Sequence, residues 1–323
     1  MPSPVVAEVV RSGFVEGHHY GSLVALAADG SVDWSVGSVD VPVLPRSCNK
    51  PVQALGMVRA GLDLPPELLA LACASHSGEP FHLEGVRRIL AGAGLDESAL
   101  QTPADYPLDD EERDRVLRAG GGRTSLQMNC SGKHAAMLAT CVLNGWDTAT
   151  YLESDHPLQK GIRDTFEELT GEPTVVAIDG CGAPLLSTSL IGLATAFRRL
   201  ALGVDGAGRP DAGAARIAAA IRQHPEVVSG TRRDERVLLT AIPGAIGKAG
   251  AESCYVVALT DGRAFALKTD DGAARVRPVL MAAALARSGV DREEGVDGQA
   301  VRRTGESVLL GGGKPVGEIR AVF

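Results

Sequence analysis

Strand-like segments stand at the two ends of this chain and helix-like segments fill its middle. That arrangement restricts the fold more than any other feature. The stretch GSLVALAADGSVDWSVGS, residues 21–38, reads as two short strands around Asp29-Gly30, a hairpin signal. CYVVALTDGRAFALKTDDG, residues 254–272, reads the same way around Asp261-Gly262, and PVGEIRAVF reads as a last strand. Between them PPELLALACAS carries Pro65 and Pro66 near a first turn, EGVRRILAGAG ends in glycines, and DDEERDRVLRAGG opens with acids. SGKHAAMLATCVLNG, HPLQKGIRDTFEELTG and DAGAARIAAAIRQHP continue with helical period. The expected fold is α/β of the α+β type: one antiparallel sheet built from both termini and packed with helices, plus a mainly helical lobe. The expected division is a single unit of two lobes, a sheet lobe over about 1–60 and 230–323 and a helical lobe over about 61–229.

Composition removes several function classes. The chain has 323 residues, 45% hydrophobic and 22% charged, enough to bury a sizeable core. Its net charge is -8 and no basic block appears, so neither nucleic acid nor an anionic membrane is an expected partner. The N-terminal MPSPVVAEVVRSG lacks the basic start of a signal peptide, and Glu8 breaks its apolar run. PLLSTSLIGLATAF is interrupted by Ser, Thr and Gly and is too short to span a bilayer. A cytoplasmic location is the expectation. There the six cysteines are free or metal-bound rather than paired.

Five stretches carry candidate chemistry. RSCNKP, residues 46–51, places Ser47 one helical turn before Lys50. The pair is either a cap beside a solvated cation or a nucleophile beside its base. A lysine acts as base only when burial or another cation lowers its pKa. ACASHSGEPFH, residues 72–82, is an apolar helix ending in serines and histidines. It is either a polar helix end with His76 and His82 on the surface, or the source of a second hydroxyl, Ser75.

MNCSGKHAAML, residues 128–138, puts Cys130 and Lys133 on one side of a helix start, which favours a thiolate or a metal ligand. It is not a phosphate loop, because Gln127 and His134 stand where glycine and Ser/Thr are required. VVAIDGCGAPLL, residues 175–186, ends a strand in glycines that leave Cys181 exposed at the tip. Cys130 and Cys181 either meet as a two-thiolate site, with His134 or Lys133 as a third ligand and Zn²⁺ as the fitting metal, or are two small buried cysteines. AIPGAIGKAGAE, residues 241–252, is a glycine-rich loop with one lysine, Lys248.

Taken in order, RSCNKP, CASHSGE, NCSGKH, DGCG and GAIGKAGAE resemble the rhizobial-type, or class 3, L-asparaginases over nearly the whole chain. The resemblance implies a fold like that of serine β-lactamase/glutaminase-like Ser-Lys hydrolases, and hydrolysis of L-asparagine to L-aspartate and ammonia. It implies two Ser-Lys pairs, Ser47 with Lys50 and Ser75 with Lys248. It implies a zinc ion on Cys130, Lys133 and Cys181, so that the lysine is favoured over His134, with Asp179 supporting that lysine or the substrate. It also implies a homodimer. Two departures flank the site: Gly78 stands where close relatives have a second serine, and Gly182 where some have asparagine.

The expected mechanism has Ser47 attacking the side-chain amide, Lys50 taking its proton, Ser75 relaying a proton to the leaving ammonia, Lys248 as second cation, and zinc in a positioning role. Two other readings fit the same letters. One is a Ser-Lys hydrolase acting on glutamine, a β-lactam or a small ester. The other is a non-catalytic, zinc-stabilised binding protein.

Overall fold

The computed structural model describes residues 3–323. The strands are β1 Val5–Arg11, β2 Phe14–Leu26, β3 Val32–Val36, β4 Val176–Ile178, β5 Pro184–Leu186, β6 Ile246–Gly250, β7 Cys254–Ala258, β8 Ala264–Thr269, β9 Val308–Gly311 and β10 Lys314–Ala321. The helices are α1 Lys50–Arg59, α2 Pro66–Ala72, α3 Pro80–Gly92, α4 Asp110–Arg118, α5 Ser131–Asn144, α6 Pro157–Thr170, α7 Leu190–Leu202, α8 Ala212–Gln223, α9 Pro225–Val228, α10 Asp234–Ala241, α11 Arg277–Arg287 and α12 Gly298–Thr304. Two compact units result. Of the described residues, a sheet unit takes 3–48, 188–202 and 237–323, and a helical unit takes 49–187 and 203–236.

The sheet unit is an antiparallel sheet in the order β6-β7-β8-β2-β1-β10-β9, with β3 also on β2. Both chain ends enter it, because β1 pairs with β10 in the register Ala7↔Ala321 to Arg11↔Gly317. At 13 residues β2 pairs with β1 over its first half and with β3 and β8 over its second. The two hairpins read from Asp29-Gly30 and Asp261-Gly262 are β2–β3 and β7–β8. Strand β7 is buried along its whole length, as a strand covered on both faces must be. Helices α7 and α11 pack against the sheet. Their burial explains why 188–202, which sequence pattern alone groups with the middle of the chain, belongs with the sheet: Leu190, Leu193, Phe197 and Leu200 are fully buried.

One segment differs in kind from its sequence expectation. Residues 246–250 form strand β6 rather than part of a loop, in the register Lys248↔Val256. The tertiary partner β7 overrides the low strand preference of glycine.

The helical unit is built around α2, whose apolar sequence PELLALA is buried from Leu68 to Ala72. Helices α3, α5 and α8 pack on it, and α1 packs on α6. In α6 the residues Leu158, Ile162, Phe166 and Leu169 recur at helical spacing and are all buried. Pro51 and Pro157 sit in first turns, where the missing N–H is not needed. Segment 49–60 joins this unit because α1 is buried from Lys50 to Met57. No helix among the described residues is long and apolar enough to cross a membrane.

Candidate active site

Within the helical unit, Lys50 opens α1 directly after the 3-10 turn Arg46–Asn49 that carries Ser47. Its side chain is 1% exposed. The amine donates to the carbonyl of Ala74 at 2.6 Å and to Ser75 Oγ at 2.9 Å. Ser75 follows the end of α2 in a loop that is itself buried. The lysine therefore serves this second hydroxyl, 25 residues away in sequence. A buried ammonium is costly unless its protons find acceptors, and these two acceptors supply the compensation.

The candidates Ser47 and Lys248 belong to the sheet unit. Ser47 is half-buried. Arg46 before it holds a left-handed backbone (φ 53°), a conformation non-glycine residues rarely adopt, and lies 3.6 Å from Glu252. Cys48 after it donates its thiol to the carbonyl of Lys248 at 3.1 Å. The turn bearing Ser47 is thus bonded to the strand bearing Lys248. The Lys248 side chain is fully buried and donates to the carbonyl of Ala249 at 2.9 Å.

The second cluster of the helical unit joins α5 to the β4–β5 hairpin. Cys130 is the N-cap of α5, and Lys133 lies in its first turn. Lys133 Nζ donates to Cys181 Sγ at 3.3 Å, and both side chains are buried. Cys130, Cys181, Met128 and Ala183 form one buried cluster with Leu152 against it. The expectation of a Cys181 exposed at a hairpin tip is corrected here: it is 0% exposed, because the turn folds its sulfur onto Cys130 and Lys133. That turn is held by Asp179, whose N–H donates to Ala183 O and whose carbonyl accepts from Gly182 N.

The two thiols titrate in opposite directions. The hydrogen bond from Cys130 and the Lys133 charge hold Cys181 far below the usual thiol range, against the effect of burial. The same hydrogen bond, together with burial, pushes Cys130 well up. Burial alone would lower Lys133, but the charges of Cys181, Cys130 and Asp179 raise it.

These residues fit a zinc ion. Two thiols and an amine converge in a buried cluster, which is a nitrogen–sulfur donor set suited to that metal. Zinc would displace the protons that now bridge them. Among the described residues no three His, Cys, Asp or Glu side chains form a metal-holding group, although His134 also reaches the Cys181 sulfur. His134 points Nδ1 at the Tyr151 hydroxyl, at 2.7 Å.

Both departures from the resemblance have a backbone cause. Gly78 has φ +82°, and a Cβ there would lie 2.7 Å from Pro107 Cβ, so a serine would clash. Gly182 has φ +87°, and a Cβ there would meet Leu152 Cδ1 at an ordinary 3.5 Å; asparagine tolerates this conformation best after glycine. The reading of His76 and His82 as surface residues is also corrected, since both are fully buried. Sequence offered no signal for this, because their partners are distant in the chain: Asn129 and Ser131 for His76, Glu226 and Val227 for His82.

No curated protein matches the chain significantly. Among solved structures, a β-lactamase from Mycobacterium bovis is similar at 16% identity, over 83% of this chain and 94% of that one, with a TM-score of 0.46. A glutaminase from Bacillus subtilis, solved as a covalent complex with 5-oxo-L-norleucine, is similar at 14% identity, over 77% of this chain and 79% of that one, with a TM-score of 0.37. The sequence model of L-asparaginase II matches residues 7–321, nearly the entire length. The chain therefore belongs to the L-asparaginase II family.

Proposed function

We propose that the protein is an amidohydrolase that converts L-asparagine to L-aspartate and ammonia through a serine acyl-enzyme. The observation that carries this reading beyond family membership is the contact of the buried Lys50 amine with Ser75 Oγ at 2.9 Å, which puts an amine and a hydroxyl within reach of proton transfer. Ser47, three residues earlier, is the proposed nucleophile.

Ser47 Oγ attacks the side-chain amide carbon, its proton passes to Lys50, and negative charge develops on the amide oxygen. Backbone N–H groups, that of Ser47 among them, are the proposed donors to this oxygen. Collapse of the oxyanion breaks the C–N bond. Ammonia leaves with the proton returned from Lys50 through Ser75, the hydroxyl bonded to its amine. Water then attacks the ester, Lys50 takes its proton, and L-aspartate is released as Ser47 regains its hydrogen. Lys248, on the strand bonded to the Ser47 turn, is the proposed second cation. Cys130, Lys133 and Cys181 would hold zinc, which supplies a positive centre for binding polar groups of the substrate. A homodimer is the proposed assembly.

The 2.9 Å bond between Lys50 and Ser75 favours one second reading, in which Ser75 is the acylated residue. Mass spectrometry of acid-quenched protein after mixing with L-asparagine separates the two, since the acyl mass falls on the peptide of Ser47 or on that of Ser75. The reading as a whole is tested by a substrate panel on metal-replete protein. L-asparagine should release ammonia fastest. Faster turnover of L-glutamine, a β-lactam or a small ester would move the assignment to that substrate.

A further inference from the structure

We propose that His76 is a positioning residue for this reaction, clamping the loop that carries Ser75 to the start of the helix that carries Cys130 and Lys133. The proposal rests on the amidohydrolase reading above. Residues 73–79 lie outside the helices and strands, so their placement depends on individual hydrogen bonds. Ser75 N donates to Val228 O at 3.1 Å and Asp109 N donates to Ser77 O at 3.2 Å. His76 makes two bonds to one place: its N–H donates to Asn129 O at 3.1 Å, and its Nε2 lies 2.8 Å from Ser131 Oγ.

The partner fixes the tautomer. Ser131 donates its single hydroxyl proton to Leu126 O at 2.7 Å, so its oxygen must accept from His76. Nε2 therefore carries the hydrogen and Nδ1 is bare. Nδ1 is buried and has no hydrogen-bond partner. The ring is fully buried and stacks on His82 with centroids 5.2 Å apart. Burial, with His82 and Lys50 nearby, holds its pKa well below the usual value and keeps it neutral. A leucine would fill this space without stranding a nitrogen, and stranding one is unfavourable. The feature that a leucine lacks is the Nε2–H donor at a fixed distance from the backbone.

The consequence reaches Lys50. Its two acceptors, Ala74 O and Ser75 Oγ, belong to the two residues directly before His76. A loop released from Ser131 shifts both acceptors together. At its other end the clamp holds the first residue of α5, next to Cys130.

The test compares metal-replete wild type with His76→Leu, His76→Gln and Ser131→Ala, using asparagine kinetics and hydrogen exchange of the peptide spanning residues 74–79. Glutamine places a side-chain N–H near the depth of histidine Nε2. The expected result for His76→Leu is a kcat lowered by about 100-fold, the scale of an ångström-level misplacement, with KM within about threefold. His76→Gln should recover about tenfold of that loss, and Ser131→Ala should fall in the same direction as His76→Leu. Exchange in 74–79 should quicken in the leucine and alanine variants. If His76→Leu does not fold, Ser131→Ala carries the comparison. Equal impairment by leucine and glutamine, or wild-type kcat in Ser131→Ala, overturns the clamp. An inactive wild type would sink the amidohydrolase reading and leave the clamp to the exchange data, where unchanged exchange in Ser131→Ala overturns it.

Discussion

Lys50 Nζ lies 2.9 Å from Ser75 Oγ, and both side chains are withdrawn from solvent. The contact joins the first residue of α1 to the loop after α2. It brings an amine and a hydroxyl to hydrogen-bonding distance, the geometry that proton transfer between them requires.

Replacing Lys50 by methionine keeps most of the buried volume and removes the proposed base. Turnover of L-asparagine should fall by about 1,000-fold or more, since proton transfer and the pairing with Ser75 are lost together. Ala74 O and Ser75 Oγ lose their donor, which costs about 1–3 kcal/mol of stability, offset in part because a buried amine is also removed. Steady-state kinetics and a urea titration check both parts. Turnover within tenfold of wild type would remove Lys50 from the chemistry.

Removing zinc should weaken substrate binding more than chemistry. In the proposed mechanism the Ser-Lys groups provide the nucleophile and the base, and Cys130, Lys133 and Cys181 form a buried cluster of their own. Chelation should raise KM more than it lowers kcat. Metal analysis should find about one zinc per chain in wild type, and none retained in Cys181→Ala. A pure kcat loss at unchanged KM would contradict the positioning role, and equal metal content in Cys181→Ala would contradict the ligand set.

Acid should destabilise the fold through its buried histidines. Burial lowers His82 from 6.5 to about 4. Between those values the unfolded chain binds a proton that the folded chain does not, so stability falls as pH drops from 6.5 towards 4 and is level above that range. For His82 alone the full loss is about 3 kcal/mol. His76, also lowered by burial, acts in the same direction. Urea midpoints measured from pH 7 to pH 4.5 should decline, and less steeply in His82→Gln. An identical slope in that variant would show that His82 is not a source of the pH dependence.

The sequence was legible where local pattern decides structure. Asp261-Gly262 between two apolar runs gave the β7–β8 hairpin, and the capped apolar stripe of 156–171 gave α6. It was not legible where a distant partner decides. Ile246–Gly250 looks like a loop until β7 lies beside it, and β1, which has β2 on one edge, meets β10 on the other only some 310 residues later. The same divide runs through the candidate site. The one-turn spacings of Ser47 with Lys50 and of Cys130 with Lys133 are visible as letters. The bond between Lys50 and Ser75, the burial of Cys181, and the burial of His76 and His82 depend on chain crossings that no local spacing encodes.

The most direct test is ammonia release from L-asparagine by the purified metal-replete protein, beside Ser47→Ala and with L-glutamine in parallel. The account predicts release from asparagine that exceeds release from glutamine and is abolished in Ser47→Ala. Undiminished release by Ser47→Ala would contradict the serine acyl-enzyme at Ser47, and no release by wild type from either amide would contradict the amidohydrolase assignment itself.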